Sequence, residues 1–179
     1  HDMSRFYTQV GEDTELLKLG LAYFLTTRGI PQIFYGTEVL MSNPGTEEHG
    51  IIRSDFPGGW PGDQISAFTG EGLSARQKEM QTYLQTILNW RKDQAVIHSG
   101  KMIHFVPQDG MYVYFRCNQT ETVMVILNKN REAKNLSTSR FSEVTGRFKA
   151  GKEIISSTFL DDLKNITVPA RSAMIIELN

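Results

Sequence analysis

Cysteine is almost missing: Cys117 is the single one in 179 residues. One thiol excludes an internal disulfide and any zinc site built on cysteine pairs. An excess of one charge is missing too. Nineteen Lys and Arg stand against 20 Asp and Glu, a net of −1. That balance speaks against a basic face for nucleic acid and against attraction to an anionic membrane. No apolar run approaches the roughly 20 residues that span a bilayer. There is no GxGxxG and no glycine-rich loop ending in Lys-Ser/Thr to cradle phosphates. There is no HExxH, no pair of histidines at helical i, i+4 spacing and no EF-hand loop. Internal repeats and low-complexity tracts are absent. An initiator Met is absent as well; the sequence opens His1-Asp2-Met3, which predicts that the true N-terminus lies upstream. What remains is ordinary globular composition, 40% hydrophobic and 22% charged, at a length for one domain or one domain plus part of another.

Glycine and proline are unevenly spread. Residues 42–73 hold seven of the 15 Gly and three of the six Pro, and helical patterns flank them. Thr14 to Arg28 reads as a heavily buried helix. Asp13 is placed to cap its start, and Gly29 to end it in a left-handed turn. Leu17, Leu21, Phe24 and Leu25 share one face. Ile30–Gly36 is a short apolar run after that helix, and it reads as a parallel strand covered on both faces. Ala75 to Lys92 reads as a second helix, opened by a capping box of Ser74 and Gln77. The order helix, strand, long loop, helix is a piece of an α/β fold. A long loop leaving the C-terminal end of a parallel strand is either a wall of an active site or a surface insertion. Phe56 and Trp60 within it predict an ordered loop.

After about residue 100 the pattern turns to strands. Met111–Cys117 and Thr122–Leu127 are rich in β-branched and aromatic residues, with Asn118–Glu121 as a hairpin turn. Ile103–Val106, Ile166–Val168 and Ala173–Leu178 are further candidates. Together they predict an antiparallel sandwich of about 75 residues.

Particular residues then carry a resemblance. His1-Asp2-Met3-Ser4-Arg5-Phe6 resembles the end of the Asn-His-Asp motif on strand seven of the (β/α)8 barrel in the α-amylase family of glycoside hydrolases. Gly29-Ile30-Pro31-Gln32-Ile33-Phe34-Tyr35-Gly36-Thr37-Glu38 resembles that family's eighth strand. One helix separates the two, as in the family. Ile51-Ile52-Arg53-Ser54-Asp55-Phe56-Pro57-Gly58-Gly59-Trp60 resembles the cyclomaltodextrinase and neopullulanase branch. Leu88-Asn89-Trp90-Arg91 resembles the end of the last barrel helix, and Val168–Ile176 the final strand of the branch's C-terminal domain.

The resemblance implies a fold in two parts: residues 1–98 as the C-terminal part of a (β/α)8 barrel, and residues 99–179 as an antiparallel β-sandwich. It implies a parent enzyme that hydrolyses α-1,4-linked glucans (starch, pullulan or cyclodextrins) with retention. The nucleophile and the general acid belong to earlier strands, so this chain alone is expected to be inactive. By resemblance Asp2 is the third carboxylate, which stabilises the transition state, and His1 contacts sugar hydroxyls. Arg5 is a candidate to line the substrate site against a carboxylate, or else a surface ion pair. Trp60 either stacks on a sugar ring or anchors the loop in a small core. Arg53 and Asp55 either pair locally or touch substrate, and Glu38 braces the loop.

No metal or cofactor is expected in this chain. Any calcium is left to the missing part, and Asn43, Glu47 and Glu48 read as a solvated cluster rather than its ligands. The expected partners are an α-glucan or cyclodextrin substrate and the rest of the barrel, with homo-oligomers open, and neither nucleic acid nor membrane. The compartment is left between bacterial periplasm and cytoplasm. Three Asn-X-Ser/Thr triplets, at Asn118, Asn135 and Asn165, matter only in a eukaryotic secreted protein. Two other classes fit the residues: a non-catalytic α-amylase-like scaffold, and a carbohydrate-binding or structural β module in residues 100–179.

Overall fold

The computed structural model describes residues 2–179. The helices are α1 (Phe6–Gln9), α2 (Thr14–Thr26), α3 (His49–Ile52), α4 (Ala75–Lys92), α5 (Ala95–Ser99) and α6 (Ser142–Thr145). The strands are β1 (Lys101–His104), β2 (Met111–Cys117), β3 (Thr122–Asn128), β4 (Lys134–Ser137), β5 (Gly151–Glu153), β6 (Phe159–Leu160), β7 (Asn165–Val168) and β8 (Ser172–Leu178). Two compact units result. One takes the chain up to Leu17 and Pro31–Gln85, the other Lys18–Ile30 and Thr86–Asn179. Among the described residues no helix is long and apolar enough to cross a membrane.

In the second unit six strands form one sheet in the order β1-β2-β3-β8-β5-β6, and β4 pairs with β7 in a second sheet. Alternation along each strand divides its side chains between two faces. On one face Met111, Val113, Phe115, Met124, Ile126, Met174, Ile176 and Leu178 form a core with Leu136 of β4 and Ile166 and Val168 of β7. Phe141 and Val144 from the helical segment between β4 and β5 complete it. On the opposite face of β2, the Tyr114 and Thr26 hydroxyls are hydrogen-bonded, and Tyr23 meets the Tyr114 ring edge-on. Trp90 Nε1 donates to Glu177 Oε1 of β8 at 2.6 Å. With apolar partners on one face and helix residues on the other, β2, β3 and β8 read as nearly continuous buried runs.

Arg116 lies among these runs and is 1% exposed. Its Nη1 donates to the Thr26 and Thr27 carbonyls at 2.8 and 2.9 Å, and Nη2 to the Gly100 carbonyl at 2.8 Å. Arg91 Nε donates to the Leu25 carbonyl at 2.8 Å. Burial lowers both guanidinium pKa values. The two arginines thus satisfy carbonyls at the end of α2, where positive charge is also favoured by the helix dipole. This accounts for a helix that stops at Thr26 rather than continuing to Arg28.

The expected cap of α2 is present: Asp13 Oδ1 accepts from the Glu15 and Leu16 amides. So is the box on α4, where Ser74 and Gln77 exchange hydrogen bonds. The hairpin turn is held by Asn118 Oδ1, which accepts from the Thr120 and Glu121 amides.

One expectation is corrected. Ile30–Gly36 is not a strand, and it is not covered on both faces: Ile30 is 98% exposed. A parallel strand is defined by the neighbours that take its N–H and C=O groups. Among the described residues every ladder is antiparallel and lies at residue 101 or beyond. The run is apolar enough for a strand but has no partner strand here. The described architecture is therefore mostly antiparallel sheet with few helices.

Candidate functional site

The first unit gathers the residues singled out for chemistry. Val39, Ala67 and Leu73 form a small apolar cluster with Met41 and Phe56 against them, and Leu17, Ile52, Met80 and Leu84 are buried in the same unit. Polar bonds add to the shaping. Asn43 is buried and uses its amide on both sides. Oδ1 accepts from the Arg5 backbone N–H at 2.8 Å and the Thr8 hydroxyl at 3.1 Å, and Nδ2 donates to Ser4 Oγ at 3.2 Å and the Thr46 carbonyl at 2.8 Å. Its own backbone N–H donates to the Thr8 hydroxyl at 2.7 Å. The turn before α1 is thereby tied to the start of the long loop. With both ends of its amide engaged, Asn43 is a buried structural clasp and not the solvated group expected of it beside Glu47 and Glu48. Among the described residues no three His, Cys, Asp or Glu side chains gather as a metal site requires.

Arg5 is the second tie. It is 3% exposed, and Nη1 donates to the Tyr35 carbonyl at 2.6 Å. Its guanidinium lies over the rings of Phe34 and Tyr35, 4.6 and 4.9 Å from their centroids. Nε and Nη2 are buried without a hydrogen-bond partner among the described residues. Burial lowers the pKa of the group, while Tyr35 and Glu38 pull it the other way. Gly36 makes this approach feasible. It has φ +82°, and a Cβ there would stand 3.1 Å from Arg5 Nη1 and collide with Met41 Sδ. Arg5 is accordingly enclosed as a brace between the chain start and the 34–36 turn and is not a surface ion pair.

Asp2 stands at the open side of these ties. Its Oδ1 accepts from Arg53 Nη2 at 2.7 Å, with side chains 67% and 41% exposed. Arg53 thus pairs with Asp2, and the local pairing with Asp55 is not what forms. Arg53 Nη2 also lies 3.2 Å from His49 Nδ1. Tyr35 spans the same stretch, its hydroxyl donating to the Ser54 carbonyl at 2.9 Å.

Trp60 is 64% exposed and does not belong to the small core; Phe56 is the loop's anchor there. The turn that carries Trp60 is nonetheless fixed. Asp63 Oδ2 accepts from the Gly58 and Trp60 amides at 2.8 and 3.1 Å. Gly58 has φ +92°, and a Cβ would collide with Ser66. Phe68 is exposed beside this core, its ring 5.2 Å from that of Phe56 and tilted at 68°. His1 lies outside the described residues. The structure thus brings Asp2, Arg5, Arg53 and the 34–36 turn together in one unit, and holds Trp60 on a separate ordered turn of the same loop.

These features, a carboxylate near the chain start facing a long loop and an antiparallel β unit after it, are where kinship becomes informative. Residues 102–177 match the cyclo-malto-dextrinase C-terminal domain family. A maltogenic α-amylase of Bacillus acidopullulyticus is 27% identical over 137 residues, 74% of this chain and 21% of that protein. A cyclomaltodextrinase of Geobacillus thermopakistaniensis is 26% identical over 138 residues, 76% of this chain and 21% of that protein. The chain is thus similar in sequence to a maltogenic α-amylase and a cyclomaltodextrinase. The crystal structure of an α-amylase from Geobacillus thermoleovorans, complexed with acarbose, has the same fold over 100% of this chain and 37% of its own length, with a TM-score of 0.72 at 18% identity. At that identity the likeness concerns fold alone. The chain spans about a fifth of the length of both curated relatives.

Two residues that matter for the arrangement were not singled out from sequence for these roles. Asn43 carried no signal beyond its place at a loop start. Arg116 did carry one: a single charge inside a seven-residue strand of otherwise uncharged residues.

Proposed function

We propose that this chain is the C-terminal part of a retaining glycosidase acting on α-1,4-linked glucans such as starch, pullulan or cyclodextrins. Residues 1–98 complete its (β/α)8 barrel, and residues 99–179 form the β domain beside it. Asp2 is the carboxylate that holds sugar hydroxyls as the ring distorts toward an oxocarbenium ion, where a fixed negative charge stabilises the transition state. His1 contacts hydroxyls next to it, and Trp60 offers a ring face to the apolar side of a pyranose. Arg5 supports the site from beneath through the Tyr35 carbonyl. The nucleophile and the acid that protonates the leaving oxygen come from the remainder of the parent enzyme. Substrate and the rest of the barrel are the partners, and no role is given to a metal within this chain.

The observation that carries this reading is the 2.7 Å pair between Asp2 and Arg53. It supports a placement of the opening residues beside the loop that follows the 30–36 run. Steady-state hydrolysis of cyclodextrin by the full-length enzyme is the test. Asp2→Asn should lower kcat by about 100- to 1000-fold with an unchanged melting temperature, and the 179-residue chain alone should show no turnover. An Asp2→Asn enzyme with its rate intact, or hydrolysis by the chain alone, refutes the assignment.

A further inference from the structure

The contact that reaches Asp2 belongs to a short relay. Arg53 Nη2 carries two N–H bonds, and two acceptors lie around it: Asp2 Oδ1 at 2.7 Å and His49 Nδ1 at 3.2 Å. For His49 Nδ1 to accept, the imidazole must be neutral with its proton on Nε2. The backbone favours the arrangement. His49 opens α3 and Arg53 follows its end, so the two side chains are four apart and share one side of the turn. The Arg53 amide donates to the His49 carbonyl at 2.9 Å and closes that turn. Ile52, between them in sequence, is buried and seats the turn. The relay therefore projects from an anchored piece of backbone.

An ion pair this exposed contributes little to folding. What it can bear on is direction, since the carboxylate is held at Oδ1 by an arginine of the loop. We propose that Arg53 is a positioning residue for Asp2, and that His49 positions Arg53 by accepting from the same nitrogen. The inference rests on the reading of Asp2 as the transition-state carboxylate. It goes beyond that reading by giving α3 a part in the chemical step.

Four variants of the full-length enzyme, assayed on cyclodextrin, test it: Arg53→Ala, Arg53→Lys, His49→Ala, and Arg53→Ala combined with Asp2→Asn. Misplacing a reacting group by an ångström costs up to about 100-fold. Arg53→Ala should accordingly lower kcat by roughly 10- to 100-fold while KM changes little. Arg53→Lys should regain part of that loss. His49→Ala should lower kcat by a smaller factor, in the same kcat-only pattern. On the Asp2→Asn background, Arg53→Ala should cause no further loss, because the group it positions is already gone. Melting temperatures should match wild type throughout.

Loss in Asp2→Asn with full kcat in Arg53→Ala overturns the positioning role and leaves the role of Asp2 standing. A KM-only effect of Arg53→Ala, or a loss that multiplies with that of Asp2→Asn, means that Arg53 meets substrate by itself and also overturns it. An unchanged kcat in Asp2→Asn alone removes the role of Asp2, and the relay with it.

Discussion

The two compact units are held by different forces. The unit of residues 18–30 and 86–179 buries β2, β3 and β8 along almost their whole length. Its interior side chains Arg116, Asn128 and Glu153 make several hydrogen bonds each, although Arg116 Nε has no partner among the described residues. Arg116 reaches three carbonyls. Asn128 Nδ2 reaches those of Glu132, Val168 and Pro169. Buried Glu153 accepts from the Ile155, Ser156 and Ile175 amides. The unit of residues 31–85 with the chain start also buries apolar side chains, among them Leu17, Val39, Ile52, Leu73, Met80 and Leu84, but it has no strand among the described residues and its apolar clusters are smaller. Directional bonds add to its form: Asn43 to Thr8 and Ser4, Arg5 to Tyr35, Asp63 to its own turn. Large apolar side chains are exposed in both units, Met3, Ile51, Trp60, Ile65 and Phe68 in this one and Ile30, Val106 and Phe159 in the other. Apolar burial supplies stability in proportion to area, whereas hydrogen bonds add little net free energy and much geometry. The comparison teaches that one unit is built to be stable and the other to hold a few side chains in place, which is the usual division between scaffold and functional loops.

The largest expected effect strikes the first kind of stability. Arg116→Met fits the strand but strands the carbonyls of Thr26, Thr27 and Gly100. A buried polar group left without a partner costs about 1–3 kcal/mol, so the loss should be on the order of 4 kcal/mol for the three together, measured from the urea midpoint. A loss below about 1 kcal/mol would mean that the carbonyls find water, and that the interior of this unit is less closed than its exposures imply.

Asn43→Ala probes the second kind. It removes four side-chain bonds, and the expected loss is about 2 kcal/mol, felt locally. Amide exchange should speed up at Arg5 and around residues 43–46, while β2, β3 and β8 keep their protection. If those strands lose protection in step, the two units share one cooperative transition and the contrast between them breaks down.

Legibility from sequence follows the same division. The β unit was readable because alternation and turn chemistry are local: Met111–Cys117 was placed to the residue, and Thr122–Leu127 to within one. The caps at Asp13 and Ser74 were readable for the same reason. Ile30–Gly36 differs from its strand-like pattern because apolar content says that a run wants burial, while strandhood is decided by neighbours that sequence alone does not place beside it. Arg5 was expected at a surface or a site, yet it lies under Phe34 and Tyr35. The glycine that permits this, Gly36, was visible only as a strand boundary. The pairing of Asp2 with Arg53 spans 51 residues and no periodicity encodes it; only the family resemblance pointed to Asp2. Arg116 was the missed opportunity, since a lone charge in a doubly covered strand must find fixed acceptors.

The smallest expected effect sharpens the contrast by pH. Tyr114 is fully buried, and burial raises its phenol pKa well above the usual value, with the Thr26 hydroxyl opposing and Tyr112 and Tyr23 adding to the shift. In the unfolded chain the same group titrates near 10. The native state therefore keeps its proton where the unfolded state gives it up. Stability is fully present below about pH 10 and falls as pH rises from there. Tyr114→Phe should cost about 1 kcal/mol at pH 8 for the lost bond to Thr26, and should make the alkaline decline shallower by up to about 1.4 kcal/mol per pH unit. It should not abolish the decline, because Tyr112 is shifted upward too, by burial and by Tyr23. Urea midpoints at pH 8, 10 and 11 for both proteins decide the matter. Parallel declines would show that Tyr114 is solvated on the unfolding timescale. The doubly covered sheet would then be open on the face where Tyr114 meets Thr26, and the claim that this unit is held by closed burial would fail at its most buried phenol.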